Sequence, residues 1–123
     1  MTLEELAKDL VRRCAAGDTE GVIDRYYDPA IVSIEGQGDG AMPGRLEGLE
    51  AVRDKNAWWT ANHEVHALRA DGPFVGHRPD QFAVRFELDV TPKDGERTQL
   101  REIALYTVRD GRIVQEEFLY EVD

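Results

Sequence analysis

Two glutamates in an otherwise apolar hairpin are the residues best placed to do chemistry. The stretch LREIALYTVRDGRIVQEEFLY, Leu100 to Tyr120, alternates apolar and polar residues around Asp110-Gly111, a strong hairpin signal. An earlier hairpin turns at Asp94-Gly95. Register decides which side chains share a face. With a two-residue turn, Arg109 pairs with Arg112, and Glu102 and Tyr106 share a face with Gln115 and Glu117. With a three-residue turn closed by a glycine bulge, Val108 pairs with Arg112. Glu102, Ala104 and Tyr106 then share a face with Val114, Glu116, Phe118 and Tyr120. Three-residue turns in both hairpins also bring Phe82, Val84, Phe86 and Leu88 to that face, so this register is favoured. It makes Glu102 and Glu116 diagonal neighbours, with backbones roughly 7–8 Å apart. Carboxylates that close in an apolar setting repel, and one can hold a proton near neutral pH. Such a group serves as general acid or as hydrogen-bond donor to a carbonyl. The competing reading is a structural network in which Tyr106, Tyr120, Arg101 or Arg85 satisfies both carboxylates.

The histidines offer less. His63-Glu64-Val65-His66 is one residue short of the zinc-protease spacing, and no metal site is expected. On a strand, Glu64 and His66 share a face; inward, His66 is the available acid/base imidazole, and outward it is a surface residue. His77, in GHRPD, reads as an exposed turn residue. Ser33 has no neighbouring histidine, and Cys14 lies on the apolar face of the first helix as a buried, inert thiol. Covalent catalysis is therefore unsupported.

The elements that must position these groups are readable. Leu3, Leu6, Ala7, Leu10, Val11 and Cys14 form one helical stripe, opened by a Thr2/Glu5 capping box and stopped at Gly17. Asp18 caps a second helix that carries Val22, Ile23 and Tyr26 inward and ends at Asp28-Pro29. Ala30–Glu35 is a short strand. Gly36 to Gly48 is a glycine-rich loop, without the lysine or helix start of a phosphate loop. Leu49 to about Ala61 is a third helix. Trp58 and Trp59 point about 100° apart on it, so one is core and the other lines a pocket or a subunit contact. Strands follow near Glu64–Arg69 and Gln81–Thr91, then the closing hairpin. Three helices followed by a strand meander predict an α+β domain, with the helices covering one face of a mostly antiparallel sheet.

The chain of 123 residues is read as one domain. Its net charge of −10 argues against nucleic acid and anionic membrane surfaces. A single cysteine excludes an intrachain disulfide. No basic, apolar leader opens the sequence and no apolar run reaches the roughly 20 residues of a membrane span, so a cytoplasmic location is expected.

Taken in order, YYDPAIVSIEG, GLEAVRDK, EVHAL, FAVRFELDVT and the closing hairpin resemble the SnoaL-like proteins of the nuclear-transport-factor-two-like, ketosteroid-isomerase-like superfamily. The resemblance spans essentially the whole chain. It implies a cystatin-like fold: a curved, cone-shaped sheet with the three helices on its concave face. It also implies a small-molecule pocket, and often a homodimer through the other face of the sheet. Glu35 is similar in position to the isomerases' carboxylate base when one residue is inserted; ungapped, the position is Ile34. Gly36 stands where those enzymes have proline, and Leu10 where they carry an oxyanion-hole tyrosine.

The expected function is binding of a small, largely apolar molecule, with cofactor-free acid/base chemistry of isomerase, cyclase or dehydratase type. Glu35 is the expected base, Glu102 and Glu116 the acid or hydrogen-bond pair, and His66 a partner. Tyr106 and Tyr120 are orienting hydroxyls, and Trp58 or Trp59, with Phe118, forms apolar wall. The alternative is a non-catalytic dimeric module with a vestigial pocket.

Overall fold

The computed structural model describes residues 1–36 and 44–120. Helix α1 (Leu3–Ala15) opens with the predicted capping box, in which the Thr2 hydroxyl accepts from the Glu5 amide and the Glu5 carboxylate accepts in return. Asp18 caps α2 (Thr19–Tyr26) by accepting from the Gly21 amide at 3.0 Å. Strand β1 (Tyr27–Glu35) follows without a loop and starts three residues earlier than the sequence predicts. Most of the expected glycine-rich loop lies outside the described residues. Its last part forms a short strand, β2 (Arg45–Glu47), that the sequence did not reveal. Helix α3 (Leu49–Ala61) has the predicted limits. Gly48 precedes it at φ +96° and donates to the Ile31 carbonyl at 2.8 Å, which ties the helix start to β1. A side chain would be strained at that backbone angle.

Strands β3 (His63–Val75), β4 (Gln81–Pro92), β5 (Thr98–Arg109) and β6 (Arg112–Tyr120) complete one sheet in the order β2-β1-β6-β5-β4-β3. All its pairings are antiparallel except β1 with β6. Bulges interrupt the β3–β4, β5–β6 and β1–β6 ladders, and bulges bend and twist a sheet. The helices lie on its concave face, α1 across β3 and β4, α3 against β1. Leu6, Leu10 and Val22 from the helices meet Ile31, Phe82, Val84, Ala104 and Ile113 from the sheet in the core. Each large apolar side chain buried there contributes about 1.5–3 kcal/mol. Among the described residues no helix is long and apolar enough to cross a membrane.

The first hairpin has the predicted register, with Phe82 opposite Tyr106 and Phe86 opposite Glu102. The second does not. Arg109 pairs with Arg112 across a two-residue turn, Asp110 at φ 52° and Gly111 at φ 74°, the positive angles of a type I′ turn. The extra residue sits instead inside β6, between the Val108–Ile113 and Thr107–Gln115 pairs. Glu116, Phe118 and Tyr120 still reach the concave face, while Val114 is displaced from it. The slip also sets Glu102 opposite Tyr120, and Glu116 opposite Tyr106. The two glutamates are thus four residues apart along the sheet, roughly 13 Å, rather than diagonal neighbours.

Candidate functional site: a carboxylate cluster under the third helix

Glu116 is a buried anchor. Tyr27 donates its hydroxyl to one carboxylate oxygen. Ser33 donates to the other at 2.7 Å, and the Lys55 ammonium lies 3.3 Å from that oxygen. Lys55 also donates to the Ser33 oxygen at 2.6 Å, so the serine hydroxyl accepts and donates at once. The lysine continues to Glu35, 3.5 Å away, whose second oxygen accepts from the Tyr120 hydroxyl at 3.3 Å. Its Nζ stands 5.1 Å from the Phe118 ring centre, within cation–π range. One hydrogen-bonded chain therefore runs from the buried Tyr27 to Tyr120 through two carboxylates and one ammonium.

Backbone geometry explains the convergence. Ile31, Ser33 and Glu35 alternate to the concave face of β1, and Ser33 and Glu35 stand beside Glu116 and Phe118 of β6. Val52, Lys55 and Trp59, at spacings of three and four, share one side of α3 above them. Of Ile34 and Glu35, the fold brings Glu35 to the lysine; Ile34 pairs with Arg45 and Glu117 on the other side.

Glu102 stands apart. It makes no hydrogen bond or ion pair with any described residue, and its carboxyl is pushed up to about 7, chiefly by burial. The charge of Glu35 raises it further, Lys55 opposes, and Glu116 adds a smaller push. Tyr106, on the same strand face, is buried, stacked on Phe82 at 5.0 Å and raised well above 10 by burial. Its hydroxyl bonds to no described residue. Cys14 is buried on the inner side of α1, and burial, helped by the charge of Glu116, pushes its thiol up to about 12. At that value it is no nucleophile.

Other expected members lie elsewhere. His66 falls at the β3 bulge, exposed, and its Nε2 meets the Thr91 hydroxyl at 2.8 Å, off the core face. Trp58 is 36% exposed, whereas Trp59 packs against the core and stacks on His63 at 4.2 Å. Arg85 and Arg101 pair with Glu87 and leave the inner carboxylates to Lys55. The sequence reading missed Lys55, Tyr27 and the role of Ser33. One signal was available for Lys55: it interrupts the apolar stripe of α3. Among the described residues no group of three or more His, Cys, Asp or Glu side chains is placed to hold a metal.

The profile of the SnoaL-like domain family matches residues 1–120. A Mesorhizobium loti protein provisionally described as a SnoaL-like polyketide cyclase is 43% identical, over 98% of this chain and 100% of its own, with a TM-score of 0.90. A Bacillus subtilis protein provisionally described as an isomerase shares 20% identity, over 98% and 90% of the two chains, at TM-score 0.77. A Xanthomonas campestris protein of cystatin-like fold shares 17%, over 99% and 92%, at 0.79. These last two likenesses speak for the fold alone. Among curated proteins none matches. With a concave sheet, three covering helices and a family match over nearly its whole length, the chain belongs to the SnoaL-like domain family.

Proposed function

We propose that the protein binds a small, largely apolar molecule beneath α3 and moves a proton beside its carbonyl group, without a cofactor, as an isomerase or cyclase does. The observation that carries this reading is Glu102: a carboxyl without a partner among the described residues, pushed up to about 7 by burial, near Glu35 and Lys55. In its protonated form it donates a hydrogen bond to a ligand carbonyl and stabilises negative charge arising there. Glu35 accepts the proton from the adjacent carbon. Lys55 and Tyr120 fix the two oxygens of Glu35, and Lys55 offsets the repulsion between Glu35 and Glu116. Glu116 itself is a positioning residue, since both its oxygens are taken by protein partners. We further propose a homodimer through the convex face, where Ile103 and Leu119 form an exposed apolar cross-strand pair, 38% and 51% accessible.

The test uses 2-tetralone in D₂O, followed by NMR as its α-protons exchange. Catalysed exchange is expected from the wild type, with Glu35→Gln slower by about 10²-fold or more. Glu102→Gln should also slow exchange and abolish any pH dependence centred near 7. Catalysed exchange unchanged in Glu35→Gln removes Glu35 as the base, and ligand binding with no catalysed exchange favours the non-catalytic module. The complete satisfaction of Glu116 by protein groups is the observation on that side.

A further inference from the structure

A second groove lies on the convex face, away from this cluster. It is a shallow, open depression of about 630 Å³. It opens where the β1–β6 ladder breaks: after Tyr27 pairs with Ile113, the next pair is Val32 with Gln115. Four residues of β1 therefore pass one residue of β6, and the strands part. The lining combines Ala30, Val32 and Val114 with Arg109, Arg112 and Gln115.

The two arginines are anomalous. They are direct cross-strand partners, and like charges directly opposite one another destabilise a sheet. The chain carries ten more negative than positive charges, and every other arginine finds an ion-pair or hydrogen-bond partner. Arg109 and Arg112 find none among the described residues. Asp28 and Asp110 also line the groove. Asp28 accepts from the Ala30 amide, and neither carboxylate pairs with the arginines. With two charges of each sign, the groove does not draw anions by its overall field. A ligand must place its oxygens between the guanidiniums, where charge-assisted hydrogen bonds form, and rest its body on the valines.

We propose that this groove is a binding site for an organic oxyanion, a carboxylate or phosphate ester on an apolar body, held by Arg109 and Arg112. The site is compatible with pairing of two copies at Ile103 and Leu119. Those residues lie six positions along β5 from Arg109, roughly 20 Å.

The test titrates benzoate and phenyl phosphate, with benzyl alcohol as the uncharged control, at constant ionic strength and follows backbone amides by NMR. Saturable shifts at Thr107, Val114 and Gln115 are expected with at least one anion and not with the alcohol. The tighter of the two anions identifies the head group. Arg109→Gln and Arg112→Gln should each weaken binding at least about tenfold while remaining folded, since each removes half of a repelling pair. Absence of saturable binding by both anions overturns the proposal, as does equal affinity in the doubly substituted protein. Unfolding of either variant would show the arginines to be structural and would overturn it as well.

Discussion

Two carboxylates, one at the α1–α2 junction and one on the concave sheet, sit in opposite electrostatic states. Asp9 accepts from the Tyr26 hydroxyl and from the guanidiniums of Arg13 and Arg12, and is held well below the usual carboxylate range, first by the tyrosine and then by the arginines. Glu102 has no such donors among the described residues and is lifted to about 7, chiefly by burial. Asp9 lies near the surface, where the arginines reach it, and Glu102 is far more deeply enclosed. Depth and the supply of donors both separate them: burial raises the Glu102 carboxyl, whereas a tyrosine and two arginines hold Asp9 ionised. Asp9 joins two helices through its donors, and Glu102 leaves a carboxyl without a donor among the described residues.

The largest test of this contrast removes the ammonium that supplies the inner cluster. Lys55→Met should cost about 3 kcal/mol or more in urea unfolding, because Glu116 and Glu35 lose their counter-charge while Glu116 stays buried. A loss below about 1 kcal/mol would show that the cluster is already hydrated. Glu102→Gln should act in the other direction. The wild-type group has a folded pKa of about 7 against a model value of 4.5. Its penalty is therefore absent below about pH 4.5, grows as pH rises through that window and is complete above 7. The variant should match wild type at pH 4 and exceed its stability by up to about 3 kcal/mol at pH 8. Equal stability at both pH values would place Glu102 in water. Asp9→Asn should cost about 1–2 kcal/mol at neutral pH. That difference should fade only in acid below the ordinary aspartate range, since a depressed pKa contributes stability above it. The smallest effect is electrostatic. In Glu35→Gln the carboxyl titration of Glu102, followed by ¹³C NMR, should move down and still remain above 4.5, because burial is the greater cause.

Much of the fold is legible from local rules. The capping box at Thr2, the Asp18 cap, the limits of α3 and the two glycine turns follow from neighbours a few residues apart. The sequence also shows that carboxylates interrupt an apolar strand face, which makes Glu102 and Glu116 candidates; Glu35 enters only through the family resemblance. It does not show that β1 runs parallel to β6, because that pair joins segments about 80 residues apart. His66 illustrates the same boundary: alternation places it with Glu64 on one strand face, and cannot say which face is covered.

What the amino-acid order determined is the set of elements and the apolar faces they must bury, since both rest on short-range periodicity and turn chemistry; the family was legible only as a resemblance of whole segments in order. What only the tertiary structure decided is the state of each carboxylate. A single extra residue within β6 separated Glu116 from Glu102. The crossing of α3 then delivered Lys55 to Glu116 and Glu35, and left Glu102 alone. Charge states depend on donors and solvent within a few ångströms, and those neighbours come from segments tens of residues distant in the chain.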